Sequence, residues 1–263
     1  MLRSWCLAAT VPLVLIGCAN TPASRESSVQ TPVSQQAAVG DARQRAKAHT
    51  DLGLVYLREG QLNVALDEAR IAIEADSSYP LGYNLLGLVQ MYLKENRAAE
   101  ESFGQALRLA SADPEINNNY GWFLCQMGRE RESLSYFVTA SKSQLYATPT
   151  KPLTNAGICA FRIEDLKAAE DFLIKALRAD PRNGDAQFLL ADICYRTGRF
   201  SEARTRLGDL HKLGEPLAES AWLALRVERK LGDREAENRY ATLIRRKFQD
   251  SREYQLLMQG KYE

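Results

Sequence analysis

From about residue 46 to 245, small and large apolar positions recur with a period of 34 residues. Gly53, Gly87 and Gly121 stand 34 apart; Gly157 follows after 36, then Ala191 and Leu225 at 34 each. Just before each mark comes Leu52, Leu86, Tyr120, Ala156, Leu190 or Ala224. Twelve residues past each mark lies a second column: Ala65, Ala99, Ser133, Ala169, Ala203 and Glu237. Four further on are Ala69, Phe103, Phe137, Leu173, Leu207 and Ala241, and seven past the second column are Ala72, Ala106, Ala140, Ala176, Leu210 and Ile244. The pattern predicts two helices per repeat, with small residues where they cross and large ones filling the gaps. Gly60, Gly128, Gly198 and Gly232, each seven residues past its mark, predict the turn between the helices, because glycine tolerates the left-handed backbone that ends a helix. One such pair cannot bury its own apolar face, so successive pairs must stack.

The columns resemble the tetratricopeptide repeat: an aromatic, then Leu-Gly, then Ala-x-x-x-Phe, then Ala. Repeat two carries it most fully, as Tyr83-x-x-Leu86-Gly87 and Ala99-x-x-x-Phe103. The expected fold is all-α, a right-handed superhelix of about six repeats over 42–247, at roughly 46–79, 80–113, 114–147, 150–183, 184–217 and 218–247. Repeat six departs most, with Glu237 in a small-residue column. Pro149 and Pro152 predict a loop in the longer junction between repeats three and four. Residues 248–263 are expected to form a capping helix, N-capped by Ser251, over the apolar end of the stack.

The resemblance implies that first helices line an inner groove. The positions expected to face it are Leu54, Leu57, Leu88, Met91, Tyr92, Trp122, Ile158, Phe161, Phe188 and Tyr195, together with Asn84 and Asn118 at one shared position in repeats two and three. An apolar groove of this kind marks a partner site. Asparagine amides donate and accept at once, which suits the backbone of an extended or helical guest peptide. The basic clamp that some arrays use for a terminal carboxylate is not evident.

Before the repeats, residues 1–17 read as a secretory signal. Arg3 gives a positive start, and Trp5 to Ile16 form an apolar stretch too short to span a membrane. It ends Leu15-Ile16-Gly17-Cys18, which looks like a bacterial lipobox, so Cys18 is expected to be acylated. Ala19, in place of an aspartate, is expected to permit export to the outer membrane. Residues 18–41 are rich in Ser, Thr, Gln, Pro and Ala and are expected to be a flexible tether.

Charge and chemistry narrow the function further. The 34 basic and 33 acidic residues leave a net charge of +1, which argues against nucleic acid as a main partner. His49 and His211 lie in different repeats with no metal-ligand spacing, and no phosphate-binding glycine loop occurs. No enzyme activity, metal, cofactor or small-molecule substrate is expected. Cys125, Cys159 and Cys194 fall in the first helices of three successive repeats. An oxidising compartment would permit a disulfide, but the expectation is three free, buried thiols.

A narrower resemblance rests on Asn117-Asn118-Asn119-Tyr120-Gly121-Trp122-Phe123-Leu124, on Ser143-Gln144-Leu145-Tyr146 leading into the prolines, and on Ser251-Arg252-Glu253-Tyr254-Gln255. These stretches are similar to the type IV pilus biogenesis lipoproteins of the PilF/PilW pilotin family. That resemblance implies a lipid-anchored scaffold at the periplasmic face of the outer membrane, binding the secretin subunit of the pilus and aiding its localisation and multimerisation. The competing expectation is a general envelope adaptor, serving outer-membrane protein insertion or recruiting peptidoglycan hydrolases.

Overall fold

The computed structural model describes residues 31–262 apart from Leu145 and Ala147. The signal and Cys18 lie outside the described residues. Twelve helices form six antiparallel pairs: α1 (Asp41–Arg58) with α2 (Leu62–Ala75), α3 (Pro80–Tyr92) with α4 (Asn96–Leu109), α5 (Pro114–Gln126) with α6 (Glu130–Ser141), α7 (Thr150–Arg162) with α8 (Leu166–Ala179), α9 (Gly184–Arg196) with α10 (Phe200–Leu213), and α11 (Ala218–Leu231) with α12 (Arg234–Lys247). A short α13 (Arg252–Met258) follows.

The columns explain the packing within each pair. A Cβ added to Gly87 would sit 3.0 Å from the Phe103 ring, and one on Gly157 would sit 2.5 Å from Leu173 Cδ2. The mark is therefore where the two helices approach most closely. Ala65, Ala99, Ala169 and Ala203 are fully buried on the opposite side of that contact. The turn after each first helix needs positive φ. Gly60, Gly128, Gly198 and Gly232 supply it at 75–78°, while Lys94 (65°) and Glu164 (57°) take the same place in repeats two and four. A non-glycine residue held there costs about 1 kcal/mol.

Each first helix packs against the next first helix, whereas among the described residues the backbones of successive second helices stay further apart and meet only through long side chains, as His211 of α10 does with Tyr240 of α12. The array therefore curves with its first helices on the inside. Ion pairs join successive repeats at matching positions: Arg129 to Glu100 at 2.6 Å, and Arg199 to Glu170 at 2.7 Å. Half-exposed pairs of this kind stabilise by at most about 1 kcal/mol each.

Three expectations need correction. Pro152 is not in a loop; it is buried in the first turn of α7, where its missing N–H leaves no helical bond unmade. The capping helix forms with Ser251 capping the N–H of Tyr254 as expected, but among the described residues 248–262 it spans only Arg252–Met258. The stretch before α1 is not all free tether. A 3-10 turn at Val33–Gln35 docks on the array, Pro32 is buried, and the Val33 N–H donates to Asp113 Oδ2 at 2.8 Å. Asp113 also caps α5, accepting from Glu115 N and Ile116 N, so one carboxylate joins the leading strand of chain to repeat three.

Repeat six keeps its register despite Glu237. That side chain is 10% exposed, and its carboxylate meets Arg229 at 2.7 Å and Arg234 at 3.2 Å. A small-residue column here holds a neutralised acid.

Candidate peptide-binding groove

Residues one, four and five past each mark share one face of a first helix, following the i, i+3, i+4 rule. In the N-terminal repeats that face is apolar. Leu54 and Leu57 are half-buried against Leu85 and Val89. Leu88 packs beside Met91 and Trp122 around Phe103 and Phe123. Met91 is buried, so it belongs to the core rather than to the groove surface. Tyr92 is 56% exposed and is the one member of the expected set open to a large ligand. Ile158 is half-buried.

From repeat three onward, the expected aromatic wall is covered. The Arg162 guanidinium lies 5.4 Å from the Trp122 ring centre, Arg196 lies 4.4 Å from Phe161, and Arg226 lies 4.4 Å from Tyr195. Each arginine comes from the first helix of the following repeat. Trp122, Phe161 and Tyr195 thus present a cation over their faces instead of bare ring, a contact worth about 0.5–2 kcal/mol.

The two asparagines expected to reach a guest do not face one. Asn118 is fully buried: its Nδ2 donates to Asn119 Oδ1 at 3.1 Å, and its Oδ1 accepts from Asn155 Nδ2 at 3.0 Å. Asn84 is also buried, and its Oδ1 accepts from Asn119 Nδ2 at 3.3 Å. These amides form a chain from α3 through α5 to α7. Buried polar groups need such partners, and here neighbouring repeats supply them. Phe188 is likewise displaced from the groove. It lines a separate cavity of about 510 Å3 with Leu210, His211 and Leu217.

The cysteine expectation is corrected as well. Cys125 of α5 and Cys159 of α7 form a disulfide with Cα atoms 5.9 Å apart, within the ordinary range. Among the described residues Cys194 alone is free; it is buried, and desolvation pushes its thiol pKa up to about 11. The extra two residues in the repeat-three junction place the two thiols at different distances from their marks, so column reading does not pair them. His49 Nδ1 meets Glu68 Oε2 at 2.6 Å. His211 contacts Tyr240 Oη and Ser220 Oγ at 3.3 and 3.2 Å, and burial lowers its pKa. Among the described residues no group of three His, Cys, Asp or Glu side chains is placed to hold a metal ion. No helix among them is long and apolar enough to cross a membrane.

The sequence reading missed a basic recess where the chain's end folds back on repeats five and six. A cavity of about 700 Å3 is lined by Tyr195, Arg226, Arg229, Lys230, Gly260, Lys261 and Tyr262. Tyr262 stacks on Trp222 with ring centres 5.7 Å apart, Arg229 lies 4.0 Å over its ring, and Arg226 Nε donates to its carbonyl at 2.9 Å. The signal was legible: Arg226, Arg229 and Lys230 stand one, four and five residues past the sixth mark. Lys261 and Tyr262 carry no repeat signal.

Six stacked helix pairs with an inward face of first helices define a tetratricopeptide-repeat scaffold, and models of the tetratricopeptide repeat match residues 82–113 and 161–224. The chain is 27% identical over 248 residues to the type IV pilus assembly protein PilF of Pseudomonas aeruginosa, covering 94% of this chain and 96% of that protein. The crystal structure of PilW, a widely conserved type IV pilus biogenesis factor, superposes with a TM-score of 0.74 at 31% identity, spanning 82% of this chain and 99% of that one. A Pseudomonas aeruginosa PilF structure gives 0.77 at 26% identity, over 84% and 100%. The chain belongs to the PilF/PilW family of tetratricopeptide-repeat type IV pilus biogenesis proteins.

Proposed function

We propose that this protein is an outer-membrane lipoprotein, acylated at Cys18 and facing the periplasm, that binds the secretin subunit of the type IV pilus and assists its localisation and multimerisation. Its role is passive: the lipid fixes the scaffold at the bilayer, and the groove holds a secretin segment during assembly. No catalytic group takes part, and the covalent lipid is the only non-protein component. The similarity to PilF along 94% of the chain is the observation that carries this reading. The lipobox ending in Cys18 supports the anchor, because two or three acyl chains hold a protein stably where one does not.

Deleting the gene is expected to leave pilin present while abolishing heat-resistant secretin multimers and twitching. Normal multimers in the deletion strain refute the secretin role. Recovery of an outer-membrane insertase or a peptidoglycan hydrolase instead of secretin in a crosslinked pull-down supports the general adaptor. Cys18→Ala is expected to move the protein out of the membrane fraction with its helical circular dichroism unchanged.

A further inference from the structure

The inner face changes character along the superhelix. One and four residues past the mark, repeats one and two present the half-buried Leu54, Leu57 and Leu88. Five past the mark, repeats four, five and six carry Arg162, Arg196 and Lys230, and in repeat six all three inner positions are basic. Lys261 is added from the folded-back end, and no acidic side chain among the described residues lines the recess. Repeat one also carries an exposed Arg58 at the fifth position, with Nε on the Leu54 carbonyl of its own helix, but its one- and four-past neighbours are leucines, so no basic cluster forms there.

Among these cations Arg196 is paired with Asp192 at 3.2 Å and Arg229 with Glu237, whereas Arg226, Lys230 and Lys261 have no carboxylate partner among the described residues. Arg226 uses Nε on the Tyr262 carbonyl, and Arg229 uses one nitrogen on Glu237, leaving further N–H donors on each guanidinium. Lys230 and Lys261 are exposed, and no ion pair holds either ammonium among the described residues. Two tyrosine rings hold the arginine planes in place, so little ordering remains to be done when an anion arrives.

We propose that this basic end of the groove receives an acidic stretch of the guest polypeptide, while the apolar first repeats take its hydrophobic part. The guest would then lie in one direction only, with its acidic part on repeats five and six. The inference rests on the scaffold reading, in which the groove holds a guest segment. An anionic lipid surface is the rival source of negative charge. It is disfavoured because the cations line a recess walled by tyrosines, which a single chain enters and a bilayer face does not.

The test uses the purified full-length protein and three fluorescent peptides, read by anisotropy. One peptide has a Leu-rich half followed by a Glu-rich half; the second has Gln for every Glu; the third reverses the order of the halves. The Glu peptide is expected to bind roughly tenfold tighter than its Gln twin at low salt and to lose that advantage at high salt. Lys230→Gln/Lys261→Gln is expected to weaken the Glu peptide about fivefold and to leave the Gln twin unchanged, both lysines being exposed and outside the packing. The reversed peptide, free to turn end for end, is expected to bind as the original does and to keep the same dependence on the two lysines. Equal affinity for the Glu and Gln peptides overturns the inference and leaves the groove reading standing. No binding of either overturns both. Lysine-dependent binding to phosphatidylglycerol vesicles with no preference between peptides overturns it in favour of lipid.

Discussion

Reducing the Cys125–Cys159 bridge tests how the joint between repeats three and four is held. The bridge closes a loop with a sequence separation of 34, which contains all of α6 and the longest inter-repeat connection. Chain-entropy arguments for a loop of that length give about 13 cal/mol/K removed from the unfolded ensemble, or about 4 kcal/mol at 25 °C. Stacked repeats are stabilised mainly by nearest-neighbour contacts, so the loss falls on the α5–α6–α7 region before it reaches the ends. The assay is urea unfolding followed by tryptophan fluorescence, with Trp122 as the local reporter beside the bridge. Comparing oxidised with reduced wild-type protein leaves the packing composition unchanged. A urea slope of about 2–3 kcal/mol/M converts the loss to a midpoint lowered by about 1.5 M. Hydrogen exchange in α5 to α7 is expected to rise most. An unchanged midpoint after verified reduction refutes the reasoning, because the cross-link would then contribute nothing beyond what stacking already provides.

Other outcomes follow from single residues. Asn118→Ala strips partners from the Asn155 and Asn119 amides and is expected to cost about 2–3 kcal/mol in thermal or urea unfolding, with loss of the repeat-two-to-four contacts rather than of a guest. Glu164→Gly relieves a left-handed residue at 57° and is expected to stabilise by about 0.5–1 kcal/mol, read as a raised melting temperature. His211 has its pKa lowered by burial, so the unfolded chain binds its proton more readily than the fold does. Its contribution to stability is therefore complete above the unfolded value of about 6.5 and falls as pH drops below it. His211→Gln is expected to show a smaller loss of melting temperature between pH 7.5 and 5.5 than the wild type.

How far the sequence could be read depended on which contacts a column records. The glycine and alanine columns record contacts inside one helix pair, so Gly87 against Phe103 and Gly157 against Leu173 were legible as close crossings. Contacts between repeats follow no single offset. The amides of Asn84, Asn119, Asn118 and Asn155 meet across three first helices, so a residue read as groove-facing is a buried rung. The same blindness hid the disulfide and the arginines over Trp122, Phe161 and Tyr195, where both partners are visible in the sequence but sit one repeat apart. Chain ends were read least well. Val33 meets Asp113 across 80 residues, and Tyr262 returns to Trp222, with no periodic signal in either case.

The docked turn at Val33 sets the working radius of the scaffold. If the whole stretch up to Asp41 were free, an anchor at Cys18 would let the body roam about 80 Å from the bilayer at full extension. Because Pro32 and Val33 are held against repeat three, that upper limit falls by about 30 Å, and the chain joins the body at one defined edge. If the proposed anchor and secretin role hold, a partner far out in the periplasm would lie beyond reach, while one already at the membrane would meet the array with the same edge turned towards the lipid each time.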